Sequence, residues 1–187
     1  MSLPLPAAIA TFAASVPCSF EEAYRDYVQV AARWARQLGG TTVDVEDVVQ
    51  EVFLVVSRRL ASFRGEARFS SWLFEITRRV VANHRRRQRW RFWRSSSRED
   101  LANAPSHLRD PLDELERRQT TAVFYQTLDK LPDKYRTVLV LFEVEGLSTL
   151  EIADLCHLKL STVRVQLHRA RDLFLTRYEQ ITKKGKS

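Results

Sequence analysis

Glycine (5 residues) and proline (6) are scarce in this chain of 187. Strand-rich architectures need turn residues roughly every 8–12 positions, so an all-β fold is excluded at the outset. Two cysteines, Cys18 and Cys156, are too few and too far apart for a disulfide framework; they fit a reducing, cytoplasmic compartment. No apolar run approaches the ~20 residues that span a bilayer. The apolar start, Met1 to Cys18, carries no basic residue and is interrupted by Pro4, Pro6 and Pro17. A secretory signal needs a basic start and a continuous apolar stretch, so residues 1–18 are expected to be a flexible tail. Catalytic signatures are lacking too: there is no Walker loop, no His-Glu-x-x-His, no Cys-x-x-Cys and no dinucleotide glycine pattern. Neither an enzyme nor a bound cofactor is expected.

What is present is apolar residue enough for packed cores (44% of the chain, with 10% aromatic) and a net charge of +7. The charge is unevenly placed. Residues 1–63 carry 5 basic and 7 acidic groups, 64–98 carry 11 and 2, 99–150 carry 6 and 10, and 151–187 carry 8 and 4. All 11 basic residues of the second segment are arginine, whose planar fork suits phosphates and base edges. Two basic blocks flanking an acidic one point to a polyanion as partner.

The periodicity is helical throughout. Ser19 and Glu22 form a capping box, followed by an apolar stripe of Phe20, Ala23, Tyr24, Tyr27, Val28, Ala31, Ala35 and Leu38 that Gly39 and Gly40 end. A second helix opens at Asp44, buries Val45, Val48, Val49, Val52 and Val56, and ends near Phe63. After a short loop, Ser70 or Ser71 caps a third helix with Trp72, Leu73, Ile76, Val80 and Val81 inward. Its second half holds eight arginines between Arg78 and Arg94, interleaved with Trp90, Phe92 and Trp93. The polar stretch from Ser95 to Asp110 has no apolar period and divides the chain. The expectation is an all-α protein of two small helical domains on a flexible linker: 19–94, a linker at 95–110, and a four-helix domain at 111–187.

In the second domain Asp110-Pro111 starts a helix that Leu131-Pro132 breaks, and Asp133 to Glu145 forms the next, stopped by Gly146. Ser148 and Glu151 cap a helix of two to three turns, and Ser161, after a four-residue break, caps a longer one with Val163, Leu167, Ala170, Phe174 and Tyr178 inward. Short helix, tight turn and longer basic helix make a helix-turn-helix, whose second helix enters the DNA major groove. Arg164, His168 and Arg171 fall on its outer face, with Arg169 beside them. A merely solvated basic face is the plain alternative, against which the net +4 after residue 150 weighs.

In the arginine-rich helix, phosphate contacts combine with aromatic residues able to stack on unpaired bases, namely Phe69, Trp72, Trp90, Phe92 and Trp93. Trp72 fits the core equally well, and Phe63 and Phe69 fit a role in pinning the loop. A basic amphipathic helix on an anionic membrane is a weaker reading. Cys156, His157 and His168 offer three zinc ligands without a fourth. The acids Asp44, Glu46, Asp47 and Glu51 spread over more than one helix face, as suits a protein-docking surface better than a metal.

Six segments in order, DVEDVVQEVF (44–53), FRGEARFSSWLF (63–74), LPDKYR (131–136), EGLS (145–148), EIA (151–153) and TVRVQLHRAR (162–171), together resemble bacterial extracytoplasmic-function sigma factors over about residues 19–178. The resemblance implies a dissociable RNA polymerase subunit that reads −10 and −35 promoter elements and assists melting. Core RNA polymerase would be engaged at the β′ coiled coil by Asp47, Gln50 and Glu51, and at the β flap. Arg64, Phe69, Arg79, Asn83, Arg86 and Arg87 would serve the −10 element, with a flipped base held in a pocket. Ser161, Thr162, Arg164, His168 and Arg169 would serve the −35 duplex. The acidic segment 99–116 would thread toward the active-site and RNA-exit path. An anti-sigma protein, often membrane-bound, would be the regulator, without membrane insertion of this chain. The chain departs from the family pattern at Arg79 and Asn83, where Asn and Asp are common; at His157 and Ser161, which replace glycines; and at His168, which stands where an aromatic side chain often faces DNA. A stand-alone helix-turn-helix regulator is the alternative.

Overall fold

The computed structural model describes residues 16–65, 68–94 and 121–184, and among these every regular element is helical. Helix α1 (Phe20–Gly39) starts at Ser19, whose hydroxyl accepts the N–H of Glu22 at 3.2 Å. The Glu22 carboxylate accepts from the N–H of Cys18 at 2.8 Å, so Cys18 belongs to the cap rather than to a loose tail. Gly40, with φ +70°, ends the helix by returning its N–H to the Arg36 carbonyl. Helix α2 (Val45–Arg59) is capped by Asp44, which accepts from the N–H groups of Glu46 and Asp47. A single 3-10 turn, Leu60–Ser62, leads to the loop.

Helix α3 (Phe69–Arg94) is 26 residues long and reaches about 39 Å. It begins one residue before Ser70, so the expected serine cap is not used; Ser71 lies buried within the first turn. Against α1 and α2 it packs Leu73, Phe74, Ile76 and Val80, while α2 contributes Val48, Val52, Phe53 and Val56. Trp34, which the expected α1 stripe left out, is the largest buried side chain of this core, 1% exposed, and meets Phe74 edge-on at 5.0 Å. Tyr24, which the stripe placed inside, is 46% exposed.

The second unit opens with a helix over 121–129, here α4; its expected start at Asp110 and the linker lie outside the described residues. Helix α5 (Asp133–Leu139) widens into a π turn, Val140–Val144, where a plain helix was expected to reach Glu145. Gly146, at φ +69°, then turns the chain. Helix α6 (Thr149–Leu155) has the full capping box, with Ser148 and Glu151 exchanging bonds of 2.8 and 3.3 Å. Helix α7 (Leu160–Lys184) starts before Ser161, which sits in its first turn instead of capping it. Val163, Leu167 and Ala170 close the core with Leu128, Leu141 and Ile152, and Phe174 packs on Phe124 at 5.4 Å.

Between α6 and α7 the turn residue His157 has φ +52°, the only non-glycine in the left-handed region among the described residues. A side chain there costs roughly 1–2 kcal/mol, partly offset by the greater chain freedom of glycine when unfolded. His157→Gly is therefore expected to raise stability by about 0.5–1 kcal/mol, read as a higher denaturation midpoint in urea with unchanged slope.

Candidate nucleic-acid interface

Three surfaces carry the charged residues singled out by the sequence. On α3, Arg79, Arg86 and Arg87 are exposed, and Arg64 is exposed in the loop ahead of the helix. Their surroundings are more ordered than a solvated basic face. Glu75 accepts from Arg78 at 2.9 and 2.8 Å and from Arg79 at 2.7 Å. Burial pushes the Glu75 carboxyl up, but the hydrogen bonds and charges of the two arginines outweigh it and hold it below the usual carboxylate range. The arginine charge on this turn is thus shared, and the guanidinium of Arg79 is fixed in direction. Asn83 accepts from Arg86 at 3.4 Å, a long contact that leaves both groups available.

Phe69 does not sit on this surface. It is 4% exposed and forms a triad with Phe63 and Trp72 at 5.6 and 5.4 Å, with Tyr27 against it at 4.8 Å. The triad welds the loop to α1 and to the start of α3, so Phe69 shapes the site and is not free to stack on a base. Among the aromatics proposed for stacking Trp90 is exposed, at 61%, whereas the side chains of Phe92 and Trp93 lie outside the described residues.

On α2, Asp47 and Gln50 are exposed. Glu51 is not equivalent to them. Its carboxylate meets His84 Nε2 at 2.8 Å and Arg87 at 3.6 Å, both on α3. The sequence missed this cross-helix pair because the residues are 33 positions apart. Glu51 therefore links the acidic face of α2 to the basic helix.

On α7, Ser161, Arg164, His168 and Arg169 are exposed and Thr162 is half-buried. His168 Nδ1 lies 3.1 Å from Asp172 one turn on. A hydrogen bond from Arg169 lowers the Tyr135 phenol below its ordinary value. Arg171 leaves the expected basic face, because it donates to Glu143 at 2.9 and 2.7 Å and covers the Phe142 ring. Arg164 stays unencumbered near the amino end of the helix. Beside it Val165, which sequence periodicity did not single out, is 51% exposed. That an apolar residue should face out here has a signal in the spacing: it falls off the stripe of Val163, Leu167 and Ala170.

Among the described residues no three His, Cys, Asp or Glu side chains are placed to hold a metal ion, and Cys156, His157 and His168 are not assembled. Burial pushes the Cys156 thiol up to about 12 despite the nearby Arg78 charge. The thiolate is the reactive form, so native protein near neutral pH should show one fast-reacting thiol, the exposed Cys18. The second is expected to react only after unfolding, as a thiol titration with and without denaturant would show.

Comparison with known proteins agrees with this layout. Residues 23–91 match the family model for sigma-70 region 2, and residues 121–173 match that for sigma-70 region 4. The chain is 33% identical to an ECF RNA polymerase sigma-E factor of Haemophilus influenzae over 140 residues, covering 70% of this chain and 72% of the relative. It is 32% identical to the RNA polymerase sigma factor YlaC of Bacillus subtilis over 154 residues, 82% and 88% of the two chains. Among solved structures, CnrH in complex with the cytosolic domain of CnrY superposes with a TM-score of 0.54 at 27% identity, over 84% of this chain and 85% of that one. The sigma factor RpoE of Bartonella quintana, solved with the anti-sigma factor NepR, shares the fold at 21% identity and a TM-score of 0.59, over 86% and 96%.

Proposed function

Since the chain belongs to the extracytoplasmic-function sigma factors of the sigma-70 family, we propose that its two helical units divide promoter reading between them: 19–94 takes the −10 element and core polymerase, and 111–187 takes the −35 duplex. The observation that carries this division is the pair of family models, region 2 falling on α1–α3 and region 4 on α4–α7. Asp47 and Gln50 offer the exposed polar face of α2 to the β′ coiled coil, with Glu51 contributing through its tie to His84. Arg64, Arg79, Asn83, Arg86 and Arg87 face the −10 strand, while Phe69 positions the loop from within the aromatic triad. Arg164 reads base edges, and Ser161, Thr162, His168 and Arg169 position the helix against the duplex.

As a factor that directs polymerase, the chain would work in the cytoplasm and make or break no bond of its own. No described helix is long and apolar enough to cross a membrane. An anti-sigma protein, as the family resemblance implies, would be the regulating partner.

Purified chain added to core polymerase should initiate run-off transcription at a cognate promoter. A stand-alone regulator would bind duplex DNA without core and initiate nothing, and that result would overturn the reading. Within the same assay, Arg164→Ala should cost about 1–3 kcal/mol of binding and relax selectivity at one or two −35 positions. An equal loss on every −35 variant would make Arg164 a phosphate contact instead.

A further inference from the structure

Helix α7 buries one stripe and presents the opposite one, and an aliphatic side chain holds the middle of the face presented. Val163, Leu167 and Ala170 are buried. At about 100° per residue, Val165 lies about 200° round the helix from Val163 and from Leu167, and about 140° from Ala170. It therefore points almost straight away from the core, outside which it lies. Arg164 is only about 60° from Leu167 and Arg169 about 100° from Ala170, so both arginines flank the face and Val165 sits between them. Ser161 precedes it by about one turn and His168 follows by a little less; both are exposed. Among these exposed residues Val165, at 51%, is the one without a polar side-chain atom.

We propose that Val165 is a specificity-determining residue of the −35 contact, its isopropyl group meeting the C5 methyl of a thymine in the major groove. This rests on the promoter-reading function proposed above. Val165 belongs to the second turn of α7, and it is the amino-terminal part of a recognition helix that meets base edges. Arginines on both flanks of the face favour phosphates on both walls of the groove, which seats the middle of the face over its floor. The exposed Asp172 carboxylate, 3.1 Å from His168, is repelled by those phosphates, so the stretch inside the groove ends before it.

The chemistry of valine narrows what it can read. A branched side chain with no donor or acceptor takes neither a phosphate nor a hydrogen-bonding base edge, and the thymine methyl is the apolar group that base pairs present in the major groove. Cytosine at the same place would turn its N4 amino donor toward a side chain that cannot accept, and would lack the methyl as well. On α7 the other exposed apolar residues, Leu175 and Tyr178, lie about 15 and 20 Å further along the axis. On this helix Val165 is thus a single apolar contact set in a polar surface, a shape that suits one methyl group better than the broad apolar patch of a protein partner.

The test replaces each thymine of the −35 element of a cognate promoter, on either strand, by uracil, which removes the methyl and keeps every hydrogen-bonding group. Binding of the holoenzyme, formed from the full chain and core polymerase, is measured on each duplex at fixed salt. At one thymine the replacement should weaken binding by the wild-type protein about fourfold, the worth of one buried methyl-sized group. Val165→Ala should bind the unmodified duplex more weakly by a similar factor and no longer distinguish thymine from uracil there. Val165 is exposed and alanine is the better helix former, so circular dichroism of the variant should be unchanged. A wild-type holoenzyme indifferent to uracil at every −35 position would overturn the assignment. So would a Val165→Ala holoenzyme that keeps the full uracil penalty, which would give the methyl to another residue. Failure of the wild-type chain to bind and initiate with core polymerase on the unmodified promoter would overturn the sigma-factor reading itself, at a step that precedes any base replacement.

Discussion

Alanine at Trp34 is expected to lower the free energy of unfolding by about 3–5 kcal/mol, the largest single-residue effect on stability in this protein. The indole is 1% exposed, and its neighbour across the α1–α3 interface is Phe74, itself fully buried. Truncation would remove the transfer energy of the ring and leave a cavity between two packed helices that can collapse only in part. Typical domains are stable by only about 5–15 kcal/mol, so the loss is a large share of the whole and should show as a much lower urea midpoint. Phenylalanine is the informative contrast. The Trp34 Nε1 donates to no partner, so Trp34→Phe loses volume but no hydrogen bond and should cost less than half as much. Urea denaturation followed by circular dichroism measures both. Equal losses for the two variants would mean that the indole N–H has a partner after all.

Replacing Arg86 and Arg87 together by alanine should flatten the salt dependence of single-strand −10 binding. Each arginine withdrawn from a phosphate lowers the slope of log affinity against log salt by about 0.7, so the pair should lower it by about 1.4. Between about 50 and 200 mM salt that change in slope amounts to roughly sevenfold in affinity. The expectation rests on exposure: both guanidinium groups face solvent, and Arg87 is held only by a 3.6 Å approach to Glu51. Arg79 provides the control, because its charge is already shared with Glu75 at 2.7 Å and its removal should change the slope less. A titration of fluorescent oligonucleotide at several salt concentrations decides the matter. An unchanged slope in the double variant would place the strand on another face of α3.

The helices, their order and most of their caps were legible in the sequence because they depend on neighbours three or four residues away. Ser19, Asp44 and the Ser148–Glu151 box act where the pattern puts them. The break at His157 was legible too, and the family resemblance implies a glycine there, but its left-handed backbone was not read from the sequence. What failed depended on partners distant in sequence. Arg85 looks like one more phosphate contact among eight arginines, yet Asp129 and Asp133, 44 and 48 residues on, draw it inward. Arg171 fits the basic face of α7 by spacing, but Glu143 holds it through a contact across 28 residues. Phe69 has the right type for stacking on a base and is captured by its own neighbours instead. Ser70, Ser71 and Ser161 failed for a local reason, since each helix begins a residue earlier than the nearest good capping residue.

The π turn at Val140–Val144 has a consequence for direction. An α-helix advances about 100° per residue, and a wide turn takes up one residue more without a matching rotation. Glu143 and Glu145, two positions and so about 200° apart, lie on opposite sides of the second unit: one holds Arg171 of the recognition helix and the other reaches Arg33 of α1. The wide turn is therefore a place where chain length and direction are uncoupled. Removing one residue from it should restore a plain helix and leave the phase of the downstream segment nearly unchanged, whereas the same deletion in the regular turns of α5 would swing everything after it by about 100°. A length change that the wide turn absorbs would, one turn earlier, point the recognition helix the wrong way.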